Sequence, residues 1–374
     1  MIATDPRPIL ITAGGTGGHM FPAEALARAL AERDRRVALV TDARGQGFGD
    51  RLPEVNVHRI AAAGLAGTGV AAQARGVCSL ALGYLQAQRI LKSVRPAAVI
   101  GFGGYASVPA VLAAQRSGRR TVIHEQNAVL GRANRLLARR ATAIATSFES
   151  VSALPATHGP VTLTGNPVRP AIAALADRPY VAPSSNGTFA ILVLGGSLGA
   201  RVFASVVPAA IASLDPALRQ RIRLVQQCRR ENLDAARAAY DALGMQVELQ
   251  PFFDDVPQRL EAAHVVIARS GASTVAELAA SGRPSLLVPY PHATDDHQTA
   301  NAAALVAAGA AWKLQEPEFT AEALAAHVAG WMNDESPLAQ AAQRAHSVGR
   351  RDAADRLADL VLATAGAVVR EQAA

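Results

Sequence analysis

Two glycine-rich turns in this chain have residue types that suit a bound phosphate. GGTGGH occupies positions 14–19 and GGSLGA positions 195–200, each after a short apolar run and before a helical pattern. Glycine lets backbone N–H groups approach an anion closely, and the N-terminus of the next helix adds positive partial charge. Neither turn has the GxGxxG or GxxxxGKS/T spacing of dinucleotide-binding and P-loop proteins. They predict phosphate-binding loops of another kind, with plain tight turns as the structural alternative.

His19 closes the first turn and is a candidate general base. An imidazole titrates near neutral pH, so its neutral form accepts a proton under cellular conditions. Ligands of open parallel sheets bind at the carboxyl ends of the strands, where His19 is predicted to lie. A helix-capping histidine is the structural alternative. Ser197, in the second turn, has no GxSxG frame and no histidine partner in the motif, which favours a phosphate contact over a nucleophile.

Two further polar loops follow apolar runs in the second half of the chain. RSGASTVAE at 269–277 places Glu277 three residues after Thr274, which fits either a capping box or hydrogen bonds to vicinal ribose hydroxyls. PHATDDHQTAN at 291–301 contains two histidines and two aspartates, but their spacing matches no metal-ligand set. Gln298 and Asn301 are predicted on one side of a helix, where they suit sugar hydroxyls. We predict no metal and no cofactor.

Three polar loops recur after predicted strands of the first half. They are GGYAS at 103–107, HEQN at 124–127 and GNPVR at 165–169. The carboxyl ends of parallel strands meet at one edge of a sheet, so these loops are predicted to line one ligand site. Glu125 within HEQN is a second candidate base.

The elements that must position these loops alternate along the chain. Apolar runs at 8–12, 37–41, 97–101 and 121–124 are separated by loops or helical patterns, and the pattern restarts at 189–194 after a proline-rich stretch. Such alternation predicts βαβ units with parallel sheets buried on both faces. We predict an α/β chain with two doubly wound parallel-sheet domains facing a cleft. The predicted boundaries are 1–166 for the first domain, 167–187 for a linker, 188–340 for the second domain, and 341–374 for a helical segment packing back on the first.

Composition excludes several other classes of protein. The chain has 374 residues, 50% of them hydrophobic, and only two cysteines, Cys78 and Cys228, which excludes a disulfide scaffold and a cysteine-based zinc site. The net charge is +7, but the basic residues form no dense run, which disfavours nucleic acid and leaves an anionic membrane surface as a partner. Because the uncharged stretch 97–115 contains glycine, serine and proline, it does not predict a membrane span. With no targeting segment visible, we predict a cytoplasmic protein with peripheral membrane contact.

The ordered motifs resemble those of the bacterial peptidoglycan N-acetylglucosaminyltransferases, the MurG family. The resemblance rests on the seven loops above in their order, together with Gly131, Asn134 and His297, and it covers nearly the whole chain. It implies a glycosyltransferase B fold and inverting transfer of N-acetylglucosamine from UDP-GlcNAc to the muramyl 4-hydroxyl of lipid I, giving lipid II. It also implies a role in cell-wall synthesis, cell shape and division, at the cytoplasmic face of the inner membrane.

Carried over to matching positions, the resemblance also implies the site residues. His19 is the implied base, with Glu125 as the alternative, in a single direct displacement. The chain departs from the family pattern at Leu198, where glutamine is usual, and at 226–229, where QQCR replaces a His-Gln-x-Gly turn. The implied donor contacts in the first set are Thr16, Gly17, Gly18, Asn127, Arg169 and Ser197. A second set is implied to hold the uridine and ribose: Phe253 through its backbone, Ala272, Ser273, Thr274, Val275, Ala276, Glu277 and Gln298.

An acceptor held in a membrane requires a membrane-facing patch on the first domain. The candidate is an apolar stretch at 77–85, with Val77, Leu80, Leu82, Tyr84 and Leu85, flanked by the basic residues Arg75, Arg89 and Lys92. Its alternative is a core-packing helix. Three other functions stay open: a UDP-GlcNAc 2-epimerase, a glycosyltransferase of the same fold with another acceptor, and a non-enzymatic nucleotide-sugar sensor.

Overall fold

A computed structural model of the chain describes residues 6–15, 17–43, 45, 55–62, 70–156, 159–196 and 199–366, without the side chains of 70–73. Contacts divide the chain into two compact units. The first, here called the N-unit, is Met1–Arg169 with Asp352–Ala374; the second, the C-unit, is Pro170–Arg351. None of the helices in the described ranges combines the length and apolarity needed to cross a membrane.

The N-unit is built on a parallel seven-stranded sheet in the order β3-β2-β1-β4-β5-β6-β7. Its strands are β1 Ile9–Thr12, β2 Val37–Thr41, β3 Asn56–Arg59, β4 Ala98–Gly101, β5 Thr121–Glu125, β6 Ala143–Thr146 and β7 Val161–Leu163. Its helices are Gly17–Ala31, Val70–Val94, Ser107–Arg116, Arg132–Ala138 and Ala353–Gly366.

Both faces of this sheet are covered, as the continuous apolar runs predict. Ile9 and Ile11 of β1 join a core cluster with Leu26 of the first helix, whereas Leu10 joins a cluster on the other face with Leu91. Successive side chains of a strand point to opposite faces, so each four-residue run serves two cores.

The C-unit has a parallel six-stranded sheet in the order β10-β9-β8-β11-β12-β13. Its strands are β8 Phe189–Leu194, β9 Ile222–Gln227, β10 Glu248–Gln250, β11 Val265–Ala268, β12 Ser285–Leu287 and β13 Ala311–Lys313. Its helices are Pro170–Ala173, Arg201–Ser213, Pro216–Arg219, Leu233–Asp241, Val256–Ala262, Ala272–Ala280, His297–Ala307, Ala321–Asn333 and Ser336–Val348, with short 3₁₀ turns at 174–177, 230–232, 294–296 and 316–318. The prediction of two doubly wound parallel sheets is confirmed.

The segment predicted as a linker packs mostly on the C-unit. From Pro170 onward it forms a short helix and a 3₁₀ turn. The Tyr180 hydroxyl then donates to the carbonyl oxygen of His264 at 2.8 Å, and Arg178 pairs with Glu261. The unit boundary therefore lies at 169/170 rather than at a free linker ending at 187.

The C-terminal segment is divided between the units, which differs from the predicted return of all of 341–374. Helix Ser336–Val348 packs on helix Ala272–Ala280 in the C-unit, where Gly349 lies so close to the Ala279 carbonyl that a Cβ would overlap it. Only helix Ala353–Gly366 joins the N-unit. The guanidinium of Arg120 donates to the carbonyl oxygens of Thr364 and Ala365, both at 2.9 Å, and so satisfies the C-terminus of that helix.

Candidate active site

In the N-unit the first glycine turn, the GGYAS loop and His19 meet at the carboxyl ends of β1 and β4. The N–H of Gly14 donates to the carbonyl oxygen of Gly103 at 3.2 Å. A Cβ on Gly104 would lie 2.9 Å from the Gly14 Cα and 3.2 Å from the His19 Cδ2. Gly103 and Gly104 have φ values of +85° and +74°, which favour glycine. The glycines thus let the imidazole of His19 lie directly against the second loop.

Ser107 fixes these two loops to each other. Its buried hydroxyl lies 2.7 Å from the carbonyl oxygen of Gly103 and 2.9 Å from that of Thr12, and it accepts from the Thr12 hydroxyl at 3.1 Å. Buried hydrogen bonds of this kind hold a loop in one conformation, since breaking them leaves polar atoms unpaired. The position of the loop around His19 is therefore built into the ends of β1 and β4.

Glu125, the second candidate base, is a buried carboxylate that already accepts four hydrogen bonds. Its Oε1 accepts from the backbone N–H and side-chain amide of Asn127, at 3.0 and 3.1 Å. Its Oε2 accepts from the N–H of Gly131 and the side-chain amide of Asn134, both at 2.8 Å. A carboxylate with both oxygens so engaged holds the 126–134 loop in place. These four hydrogen bonds join Glu125 to three residues of that loop, Asn127, Gly131 and Asn134.

His124 is a buried histidine of the HEQN loop to which the sequence analysis gives no role of its own. It is fully buried, its Nε2 lies 3.0 Å from the carbonyl oxygen of Gly165, and its Nδ1 lies 3.0 Å from the Gln126 amide nitrogen. Burial is the main reason that its pKa falls to about 4; the Gly165 bond raises this pKa and the charge of His19 lowers it. We infer a neutral imidazole with its proton on Nε2. His124 thereby joins the HEQN loop to the GNPVR loop.

Arg169 of GNPVR and the predicted donor glycines lie at the same helix start. The Arg169 guanidinium carbon is 5.1 Å from the ring centroid of Phe21, two residues after His19. Gly17 and Gly18 open that helix, and Gly18 is exposed. Thr16 lies outside the described residues. A guanidinium and a helix N-terminus in one place provide positive charge for an anionic ligand.

In the C-unit, Gln227 holds the second glycine turn. Its Oε1 accepts from the N–H of Gly195 at 3.0 Å, and its Nε2 donates to the carbonyl oxygens of Gly196 and Pro251, at 3.0 and 3.1 Å. Ser197 and Leu198 lie outside the described residues. Gln227 therefore connects the glycine turn to the segment just before Phe253, whose side chain is buried.

The departure at 226–229 has a local structural explanation. Gln226 is buried, accepts from the Tyr240 hydroxyl at 2.6 Å and donates to the carbonyl oxygen of Phe203 at 3.1 Å. Arg229 donates to the carbonyl oxygen of Gly199 at 3.2 Å. Gln226 thus serves the core, whereas Arg229 adds a guanidinium next to the glycine turn.

The 269–277 loop enters a helix earlier than the capping-box alternative requires. The helix is Ala272–Ala280, with Gly271 in an extended conformation at its N-cap and no side-chain cap bond. Thr274 is therefore inside the first turn, and the capping-box alternative for Glu277 is wrong. Val275 is buried and its N–H donates to the carbonyl oxygen of Gly271 at 3.0 Å. The other predicted contacts on this loop are half-buried: Ala272, Ser273, Thr274, Ala276 and Glu277.

Arg269 and two amides hold the neighbouring loops of the C-unit. The buried guanidinium of Arg269 donates to the carbonyl oxygens of Val288 and Pro289, at 3.1 and 3.0 Å, and pairs with Glu316. Gln298 accepts from the N–H of Tyr290 at 2.9 Å, and Asn301 donates to the carbonyl oxygen of Ser270 at 3.1 Å. The loops after β11 and β12 are thus tied to helix His297–Ala307. The sequence analysis includes Arg269 and Gln227 in its motifs but gives neither a role of its own, because hydrogen bonds to distant carbonyls leave no local pattern.

The acidic stretch 294–296 has an unusual backbone. Asp295 and Asp296 have φ values of +53° and +48°, in the left-handed region that costs energy for residues other than glycine. Within the described ranges, no group of three or more histidine, cysteine, aspartate or glutamate side chains is arranged to hold a metal ion.

Comparison with known proteins finds two family models along the chain. Residues 9–146 match the glycosyltransferase family 28 N-terminal domain and residues 190–357 the family 28 C-terminal domain. The chain is 59% identical over 360 residues to the UDP-N-acetylglucosamine--N-acetylmuramyl-(pentapeptide) pyrophosphoryl-undecaprenol N-acetylglucosamine transferase of Rhodospirillum centenum, covering 96% of this chain and 95% of the relative. The enzyme of the same description from Paramagnetospirillum magneticum is 53% identical, over 96% and 98% of the two chains.

Among solved structures, MurG of Acinetobacter baumannii is similar with a TM-score of 0.74 and 30% identity, covering 96% of this chain and 99% of that one. A UDP-N-acetylglucosamine 2-epimerase from Listeria monocytogenes has a TM-score of 0.67 at 16% identity, over 94% and 95% of the two chains. At that identity the second likeness concerns the fold alone.

Proposed function

The chain belongs to glycosyltransferase family 28, and we propose that it transfers N-acetylglucosamine from UDP-N-acetylglucosamine to N-acetylmuramyl-(pentapeptide) pyrophosphoryl-undecaprenol. The observation that carries this proposal is the 59% identity, over 96% of the chain, to a transferase of that description. The site geometry supports it, because both units place glycine turns and helix starts at the carboxyl edges of their sheets.

We assign the nucleotide to the C-unit. The turn at Gly195–Gly196 and the start of helix Arg201–Ser213 supply N–H groups and positive partial charge for the pyrophosphate. We assign Glu277 as the acceptor of hydrogen bonds from the ribose hydroxyls, and Gln298 and the backbone of Phe253 as contacts of the uridine. Gln227 and Arg269 hold these loops in position. Gln227 donates to carbonyl oxygens of two separate segments, at Gly196 and Pro251. Arg269 donates to two neighbouring carbonyl oxygens of the loop after β12, those of Val288 and Pro289.

The chemical step is assigned to His19 of the N-unit. Its imidazole removes the proton of the muramyl 4-hydroxyl while that oxygen attacks the anomeric carbon of N-acetylglucosamine. The bond from that carbon to the UDP oxygen breaks in the same step, UDP leaves with the electron pair, and the configuration inverts. Arg169 and the start of helix Gly17–Ala31 stabilise the negative charge that grows on the departing pyrophosphate. Since Nδ1 is buried near Gly103, we assign proton transfer to Nε2.

The test of the reaction measures UDP release from UDP-GlcNAc with and without a short-chain lipid I analogue. Release that depends on the analogue and yields a disaccharide is expected. A 2-epimerase, which shares the fold, would instead change the configuration at C2 of the sugar without any acceptor, and that result would overturn the proposal.

We also propose that helix Val70–Val94 contacts the cytoplasmic face of the membrane. Val77, Leu82 and Leu85 are 59%, 50% and 53% exposed. Leu82 and Leu85 share one helical stripe with the exposed Arg89 and Lys92, because they are spaced by three or four residues. An apolar stripe that continues into basic residues is typical of helices lying at an anionic lipid surface.

The membrane contact is tested with a double variant, Leu82→Glu with Leu85→Glu. Its binding to vesicles containing phosphatidylglycerol should fall well below that of the wild type, while turnover of a water-soluble acceptor stays unchanged. Val181→Glu is the matched control, because Val181 is 71% exposed on the C-unit. Equal vesicle binding by all three proteins would refute the contact.

A further inference from the structure

A cavity lies within the C-unit, between β13 and the helices Ala321–Asn333 and Ser336–Val348. It has a volume of about 460 Å³, and its lining includes Trp312, His327, Trp331 and Asp334. None of the residues assigned above to the donor site lines it. A cavity of this size is within the range that holds small ligands or a long side chain.

Aromatic rings form one side of this cavity. The ring centroids of Trp312 and Trp331 are 4.9 Å apart at an interplanar angle of 54°, and His327 lies 5.3 Å from Trp331 at 30°. Gly330 adds room, since no atom lies within 4 Å of the position that a Cβ would occupy. The space next to the rings is therefore open on the side of Gly330.

The lining of the cavity carries negative charge, on the carboxylate of Asp334, and no positive charge. Hydrogen bonds from the side chain and backbone of Ser336 hold the pKa of Asp334 below its ordinary value, so this carboxylate is ionised at neutral pH. Burial lowers the pKa of His327, so its imidazole is neutral there. The lining contains no lysine or arginine. On a chain of net charge +7, this cavity is thus a local site of negative charge with aromatic walls.

We propose that this cavity binds an arginine side chain presented by a partner polypeptide. A guanidinium is planar and stacks on indole faces through a cation–π attraction. Its N–H groups also match a carboxylate, which Asp334 supplies. An uncharged side chain of the same shape would keep the stacking but lose both electrostatic contributions.

The two tryptophans of the chain are Trp312 and Trp331, so intrinsic tryptophan emission reports on this cavity alone. The probe is the peptide N-acetyl-Gly-Arg-Gly-amide, and the matched control replaces arginine with citrulline, which has nearly the same shape without the charge. We expect a saturable change in emission with the arginine peptide and binding at least about tenfold weaker with the citrulline peptide.

Two variants complete the test without altering the fluorophores. Asp334→Asn keeps a side chain that accepts the Ser336 hydrogen bond but removes the charge, and should weaken arginine binding by about tenfold. Gly330→Leu, or Ala326→Leu if the first does not fold, should fill the cavity and abolish the change in emission. Transferase turnover should be that of the wild type in each. Equal responses to the two peptides, or an unchanged titration in both kinds of variant, would overturn the proposal.

Discussion

Acidification should destabilise the N-unit through His124. The buried imidazole has a pKa of about 4, against an ordinary value of 6.5, because burial disfavours its charged form. Below pH 6.5 the unfolded chain takes up a proton at this position and the folded chain does not. The stabilisation is therefore complete above pH 6.5 and is lost as the pH falls toward 4. Each unit of difference between the pKa values of the unfolded and folded chain corresponds to about 1.4 kcal/mol. Lowering the pH from 6.5 to about 4 should therefore reduce the free energy of unfolding by about 3 kcal/mol.

The assay compares the wild type with His124→Gln, whose side chain does not titrate. Urea unfolding is followed by far-UV circular dichroism from about pH 7 to about pH 4.5. Tryptophan emission serves as an internal reference, because Trp312 and Trp331 both lie in the C-unit. Contributions from other histidines, such as His58, are common to both proteins and cancel in the difference. The difference in unfolding free energy between the wild type and His124→Gln should narrow as the pH falls. If the two plots of unfolding free energy against pH run parallel over the whole range, the assignment of a neutral, buried His124 is refuted.

Three further predictions concern the loops of the two units. Gly104→Ala should lower the free energy of unfolding by more than about 1 kcal/mol and reduce kcat, because a Cβ there meets Gly14 and the φ is positive; wild-type thermal stability and turnover would contradict this. Gln227→Leu should raise KM for UDP-GlcNAc by about tenfold or more, since three hydrogen bonds to the glycine turn and its neighbour are lost; an unchanged KM would exclude that role. Glu125→Gln should lower kcat without moving the acidic limb of the pH–rate profile, as a positioning residue does; loss of that limb would identify Glu125 as the base.

The sequence predicts the sheets well because their evidence is local. Each central strand is a short apolar run ending in a polar or glycine-rich turn, and burial on both faces of a parallel sheet requires that pattern. The polar loops follow the strands as expected, so the meeting of residues 14–19 with 103–107 could be anticipated from the topology alone.

The parts that the sequence does not predict depend on contacts between distant residues. The bond from His124 to Gly165 and the three bonds of Gln227 each join separate loops, and no spacing rule reveals them. The start of helix Ala272–Ala280 differs from the capping-box alternative, because Gly271 begins the helix without a side-chain cap, whereas that alternative requires Thr274 at the N-cap. The division of the C-terminal helices depends on the close approach of Gly349 to Ala279, which is a tertiary contact.

The most direct test of the central claim compares His19→Ala with the wild type, using UDP-GlcNAc, a short-chain lipid I analogue and no added metal. If His19 is the base, kcat should fall by about 10² to 10⁴, while the Kd for UDP stays within about twofold of the wild type. Near-normal turnover in the variant, or an equal loss of turnover and UDP binding, would contradict the assignment of proton transfer to His19.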